Sequence, residues 1–128
     1  MASNPAFAVT PKVGMAQVSV ANSNRDGTTG TYVTVITGAS TGTRIAEVTI
    51  EPTVTTTAGM VRLFLFDGTN TRLWDEITVS AVVPSATVKA ARVVTLYNNL
   101  LLPNASWQLK ASTENANAIN VFAMGADL

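Results

Sequence analysis

Four carboxylates on two predicted strands are the first candidates for catalytic chemistry. A pair of Asp or Glu side chains that flank a sugar can hydrolyse a glycosidic bond. Asp75 and Glu76 are neighbours in one strand and point to opposite faces, so they do not converge. Glu47 and Glu51 share the exposed face of another strand. We interpret all four as solvated charges that pair with arginines of adjacent strands.

Nucleophilic and metal chemistry lack their usual residues. The 128-residue chain contains neither His nor Cys, which removes the common base at neutral pH and the thiolate ligands of metal sites. A serine nucleophile needs an adjacent base, and no Ser-x-x-Lys sequence supplies one. The oxygens of Asn24, Asp26 and Asp67 could bind calcium, but turn conformations account for these residues without a cation. The sequence therefore predicts no enzyme, no cofactor and no metal site.

Charged residues are scarce and balanced. They make up 12% of the chain and give a formal net charge of zero, whereas about 25% is usual. Without a basic block, a nucleic-acid surface is not expected. No apolar run reaches the roughly 20 residues that span a membrane, and the first residues lack the features of a secretion signal. Because charge is depleted at interface cores, we interpret the scarcity as surface covered by other subunits. A soluble surface rich in Thr, Ser and Asn is the alternative.

Short runs of Val, Ile, Thr and Phe between turn residues predict strands along the whole chain. The pattern predicts an all-β fold, a single antiparallel β-sandwich of about eight strands that is jelly-roll-like, with an immunoglobulin-like sandwich as the alternative. Residues 1–11, which contain Pro5 and Pro11, are predicted to form an extended N-terminal arm, and residues 12–128 the sandwich domain. The predicted strands are 15–21, 31–37, 44–51, 60–66, 72–80, 93–97, 106–112 and 119–124.

Three segments carry more specific expectations. Alternation over 44–51 predicts that Ala46 points to one face with Val48 and Ile50, and that Ile45 points to the other face with Glu47. Asp67 to Asn70 is expected to form a hairpin turn. The Ala-rich middle of 87–97 could form a helical turn before the strand that starts at Val93, and 98–104 is expected to be a loop.

The strand Met60–Phe66 is apolar on both faces, which is typical of a central strand or of one covered by a partner. Phe64 and Phe66 share one of these faces and are candidates for an interface. Phe7 and Val9 are candidates for anchoring the arm on a neighbour. Trp74 could stack on a sugar, but we favour a contact within the sheet or with another subunit, where Trp is enriched.

The stretch from Gly42 to Ile77, GTRIAEVTIEPTVTTTAGMVRLFLFDGTNTRLWDEI, carries a resemblance, with NRDGTTGTYVTV before it and LKASTENANAINVFAMGADL after it. It resembles small proteins encoded among the structural genes of tailed bacteriophages, and specifically head-decoration, or capsid cement, proteins with a β-sandwich fold. The resemblance covers most of the chain and contributes no catalytic residues.

The resemblance implies a virion structural protein on the capsid surface, made in the host cytoplasm. It would bind the major capsid protein and associate with itself, with a homotrimer favoured. Two other hypotheses place the chain elsewhere in the virion: a carbohydrate- or receptor-binding module of a tail fibre, and a tail or baseplate component.

Overall fold

The computed structural model describes residues 10–128, which form eight β-strands and no helix. The first strand begins at Thr10, so the last two residues of the predicted arm belong to it, and the remainder of that arm, residues 1–9, lies outside the described residues. The strands are β1 (Thr10–Val18), β2 (Val33–Thr37), β3 (Thr43–Pro52), β4 (Gly59–Phe66), β5 (Thr71–Val79), β6 (Val93–Leu102), β7 (Gln108–Thr113) and β8 (Ile119–Asp127).

The strands form two four-stranded sheets, which we name sheet A (β1-β8-β3-β6) and sheet B (β2-β7-β4-β5). Within the sheets β1 pairs with β8, β2 with β7, β3 with β6 and β4 with β5, all antiparallel. The pairing is therefore nested, as if one long hairpin were rolled up so that β3 also meets β8 and β4 also meets β7. The predicted antiparallel β-sandwich of eight strands is confirmed.

The core lies between the sheets and is built from alternating side chains. Every second residue of a strand points inward, and the inward positions are mostly Val, Ile and Leu, whose burial stabilises the fold by about 25 cal/mol per Å² of apolar surface. Trp107 packs at the border of this core. The largest fully buried core residues are Ile45, Ile50, Leu63, Leu100, Leu102, Leu109, Ile119, Val18, Val48, Val61 and Val79.

A β-bulge in β3 changes the predicted alternation of that strand. Ile45 pairs with Gly125 and Glu47 with Met124, which leaves Ala46 as the extra residue. The expectation that Ile45 shares a face with Glu47 was wrong, because one extra residue shifts the alternation by one position. As a result Ile45 is buried along with Val48, and Glu47 points outward.

Two further expectations have clear outcomes. The Asp67–Asn70 turn is confirmed: the Asp67 amide donates to the Asn70 carbonyl oxygen at 3.1 Å, and Gly68 takes a positive φ of 100°. The expected loop at 98–104 was wrong for its first five residues, because β6 continues to Leu102. Leu100 and Leu102 are buried in the core, so packing against β3 overrides the turn preference of the two asparagines before them.

Candidate assembly surface

The structure separates the interface residues that the sequence singled out. Phe7 and Val9 lie outside the described residues. Phe64 is fully buried, with the ring of Tyr32 against it edge-on at 4.9 Å between ring centroids. Phe66 is half-buried, and the ammonium of Lys110 lies 4.2 Å from its ring centroid. Neither aromatic ring of β4 is therefore an open apolar surface.

The loop between β1 and β2 covers the middle of the outer face of sheet B, where these rings lie. Arg25 in this loop forms an ion pair of 2.9 Å with Glu76 on β5. Asp26 accepts hydrogen bonds from two loop amides and from the Tyr32 hydroxyl, and these hydrogen bonds hold the pKa of its carboxyl well below its usual value. The loop thus covers Phe64 with its own Tyr32 ring.

Arg62 continues this closure as a nearly buried cation. Its residue is 7% exposed, and its guanidinium bonds Glu76 at 3.0 Å and Glu114 at 2.6 Å. Burial alone would lower the pKa of Arg62, but the hydrogen bonds that it donates to Glu114 and Glu76 outweigh burial, so the pKa is raised above its usual value. The cation stays charged at every physiological pH and ties β4, β5 and the end of β7 together.

The outer face of sheet A differs, because exposed apolar side chains cover it. We define face A by two rows of residues that the strand register places side by side across the sheet. One row contains Met15, Phe122, Thr49 and Val94, and the other contains Val13, Met124, Glu47 and Leu96. Met15 is 74% exposed and Leu96 is 75% exposed. Contiguous exposed apolar surface of this kind on a soluble domain is typical of an interaction site.

A polar column runs through the middle of face A along β3. It consists of Arg44, Glu47, Thr49 and Glu51, with the Thr49 hydroxyl donating to Glu47 Oε1 at 2.9 Å. Arg44 donates to the carbonyl oxygen of Asn98. Among the described residues, none of the three charged side chains of this column forms an ion pair with another side chain. The column therefore carries charges of both signs, without ion-pair partners within residues 10–128, between two apolar borders.

Trp74 lies at the free edge of sheet B, outside face A. It is the extra residue of a bulge, since Leu63 pairs with Asp75 and Phe64 pairs with Leu73. The residue is 43% exposed, and its ring tilts against Tyr97 of β6 at 6.3 Å between centroids. The Tyr97 hydroxyl donates to Asp75 at 2.8 Å, and burial together with this hydrogen bond raises the pKa of Tyr97. The contacts of Trp74 and Asp75 with Tyr97 therefore link an edge strand of sheet B to an edge strand of sheet A.

Two of the carboxylates considered for catalysis, Asp75 and Glu76, are engaged in contacts within the subunit. Glu76 is taken up by two arginines and Asp75 by Tyr97. Within residues 10–128 no group of three Asp or Glu side chains is placed to hold a metal ion. A shallow depression between Met15, Asn120 and Phe122 lies on face A itself. Residues 10–128 contain no helix that is long and apolar enough to cross a membrane.

Comparisons with known proteins give a fold but no family. No protein-family model and no curated protein sequence matches the chain. Among solved structures, a chain of the cyanophage Pam1 capsid asymmetric unit matches with 16% identity and a TM-score of 0.51, over 98% of this chain and 91% of that one. The two chains share a fold.

Two other solved structures match with lower scores. A pentameric capsid protein isolated from metagenomic phage sequences is 16% identical over 89% of this chain and 61% of its own, with a TM-score of 0.38. A chain of the T13 IBDV viral particle is 12% identical over 99% of this chain and 35% of its own, also with a TM-score of 0.38. The likeness of fold therefore rests on the Pam1 capsid chain.

Sequence reasoning missed face A because it concentrated on β4. The missed signal is that β1, β6 and β8 each carry apolar residues at outward positions, such as Val13 and Met15, as well as at inward ones. A strand that is apolar on both faces while lying in an otherwise uncovered sheet predicts a partner. The same rule predicts a partner for β4, but there the chain's own loop covers Phe64 with the ring of Tyr32.

Proposed function

We propose that the chain is a virion structural protein, and more specifically a capsid decoration protein that binds the major capsid protein and other copies of itself. Face A carries this proposal: it is an open apolar face on a sandwich whose other outer face is covered in its middle by the chain's own loop. An enzyme would need convergent reactive groups, whereas a structural subunit needs surfaces that other subunits can cover.

The fold supports the proposal without deciding it, because one fold can serve many functions. The nested strand pairing supports a jelly-roll arrangement, an eight-stranded fold found in viral capsid and lectin domains. The Pam1 chain with the same fold belongs to a capsid asymmetric unit. A repeated lattice also turns modest contacts into firm attachment, because each additional contact acts at a high effective concentration.

Binding to phage heads tests the proposal. The purified chain is mixed with heads assembled from the major capsid protein alone, and bound protein is measured by co-sedimentation and located by cryo-electron microscopy. We expect saturable binding at a fixed number of copies per head. A chain that stays in the supernatant at all concentrations would refute the decoration role.

The N-terminal arm has its own test in the same assay. Phe7→Ser combined with Val9→Ser removes the two proposed anchors, and Ser3→Ala combined with Asn4→Ala is the matched control in the same segment. We expect only the first variant to bind heads more weakly. Equal binding by both variants would show that the arm does not contribute to attachment.

A glycan-binding role on a tail fibre is the second candidate, and the exposed ring of Trp74 favours it. An exposed aromatic ring can stack on the apolar face of a sugar. A glycan array probed with the wild-type chain and with Trp74→Ala would support this role only if binding is present and depends on Trp74. In that case the Trp74→Ala variant should still bind heads if the decoration role also holds.

A further inference from the structure

The two rows of face A are complementary to each other under a two-fold rotation. Consider an axis that lies above the sheet, parallel to it and perpendicular to the strands, midway between the rows. Rotation about this axis places each strand over its own copy in the opposite direction, so that one row faces the other. The facing pairs are Met15 with Val13, Phe122 with Met124 and Val94 with Leu96. The fourth position places Thr49 opposite Glu47, but Thr49 is only 1% exposed and adds no contact.

The charges of the polar column follow the same symmetry. Arg44 lies beyond one row and Glu51 beyond the other, at opposite ends of the outward face of β3. The rotation that superimposes the rows places Arg44 of each copy over Glu51 of the other copy. Because a two-fold interface repeats every contact, the opposite charges meet twice.

Glu51 also carries an unsatisfied polar atom. Its Oε2 atom is covered and has no hydrogen-bond partner among the described residues. A buried polar atom without a partner is destabilising, and native structures usually satisfy such atoms. A small rotation of the carboxylate towards an arginine of a second subunit would satisfy it.

We propose that face A is the interface of a two-fold dimer, in which the A sheets of two copies pack face to face with antiparallel β3 strands and Arg44 of each copy binds Glu51 of the other. The inference deepens the self-association of the proposed function by naming its surface and symmetry. Sheets that pack in this way cross at about 30° and lie about 10 Å apart.

The proposed contact covers face A and extends along β3 to Arg44 and Glu51. Four strands about 4.8 Å apart, with about seven residues along each, cover roughly 400 Å² in projection. The accessible area exceeds the projection because the Met, Leu and Val side chains protrude, and a standard interface buries roughly 800 Å² per partner. A dimer contact through face A leaves sheet B, its edges and the N-terminal segment available for the capsid.

A charge-swap series in sedimentation equilibrium tests the dimer with the full chain. The variants are Arg44→Glu, Glu51→Arg and the double variant, with Arg72→Glu on the exposed side of β5 as the matched control. We expect the wild-type chain to form a dimer, or an even-numbered assembly if a trimer contact also exists. Each single reversal should raise the dissociation constant by about tenfold or more, since like charges then face each other twice.

The double variant distinguishes a contact between subunits from one within a subunit. Residues 44 and 51 of one chain lie about 20 Å apart along the strand, which is well beyond the screening length of about 8 Å at physiological salt. Recovery of wild-type affinity by the double variant can therefore arise only across an interface. A double variant as weak as the single ones, or a wild-type chain that is monomeric or trimeric up to about millimolar concentration, would overturn the proposal.

A substitution at an exposed residue tests the interface without unfolding the subunit. Leu96→Glu places a charge at the proposed interface, and Val83→Glu places one at a similarly exposed position outside face A. We expect Leu96→Glu to weaken the dimer at least about 30-fold and Val83→Glu to leave it unchanged. Equal affinities would overturn the proposal. A dimer that ignores phage heads would refute the decoration role alone, whereas a monomer that binds heads would refute the dimer alone.

Discussion

Replacing Arg62 by Met should destabilise the fold more than the replacement of any other single charged residue on the outer faces of the sheets. The side chain fills a nearly buried position between Glu76 and Glu114, and Met retains much of its apolar volume while removing the charge. Breaking a buried ion pair by removing one partner costs about 3–5 kcal/mol, because the remaining charge is left uncompensated.

The structure places the expected loss near or below the lower end of that range. The carboxylate side chains of Glu76 and Glu114 are 25% and 33% exposed, so water can hydrate them in part, and Glu76 keeps its ion pair with Arg25. We therefore expect a loss of about 2–3 kcal/mol. For a chain of this length that corresponds to a decrease in Tm of roughly 6–15 °C.

Urea denaturation at pH 7, followed by circular dichroism, measures this loss. Arg72→Met removes an exposed arginine from the same sheet and is the control, expected within about 0.5 kcal/mol of wild type. Adding Glu76→Gln and Glu114→Gln to Arg62→Met should recover part of the stability, because no uncompensated charge then remains. If Arg62→Met unfolds at the same urea concentration as Arg72→Met, then the charge network does not close sheet B and the contrast between the two faces fails.

Three further changes test other parts of the structure. Gly125→Ala should destabilise the fold by about 1–3 kcal/mol in urea titrations, since a Cβ there would overlap the Arg44 carbonyl, and an unchanged midpoint would contradict that close approach. The hydrogen bond from Thr43 lowers the pKa of Asp127 below its usual value of 3.8. The stabilisation that the Asp127 carboxylate contributes is therefore present above pH 4 and is lost on acidification. The difference in stability between wild type and Asp127→Asn should narrow below about pH 4, and a difference that stays constant with pH would refute this prediction. Glu47→Gln should tighten the face-A dimer in sedimentation equilibrium, since a carboxylate is costly to cover, and weaker association would count against the proposed packing.

The sequence was sufficient to predict the class of fold because its strongest signals are local. Asp67 to Asn70 sets a hairpin through the positive φ that Gly68 adopts, and the apolar alternation around Leu109 and Ala111 matches their burial. Such patterns depend only on neighbours in the chain. They predict that strands exist and which of their faces turn inward, provided that no residue is inserted into the ladder.

Bulges and covering loops limit what the sequence can predict about surfaces. Ala46 and Trp74 are extra residues in their strands, and nothing in their types distinguishes them from regular positions. The cover that Tyr32 provides for Phe64 depends on a contact between residues 32 positions apart. Which of two apolar faces stays open is therefore decided by tertiary structure.

The asymmetry between the two sheets connects the scarcity of charge with the proposed assembly. Sheet B uses Arg62, Glu76 and Arg25 to close its outer face within the subunit, so these charges are already satisfied. Sheet A places Arg44 and Glu51 on an apolar face without ion-pair partners among the described residues. These two charges lie at opposite ends of one apolar strand face in a chain that has few charges. A two-fold partner would pair both of them. If the charge swap fails to restore association, then low charge content in this chain reflects only a polar surface of Thr, Ser and Asn, and the link between composition and assembly is lost.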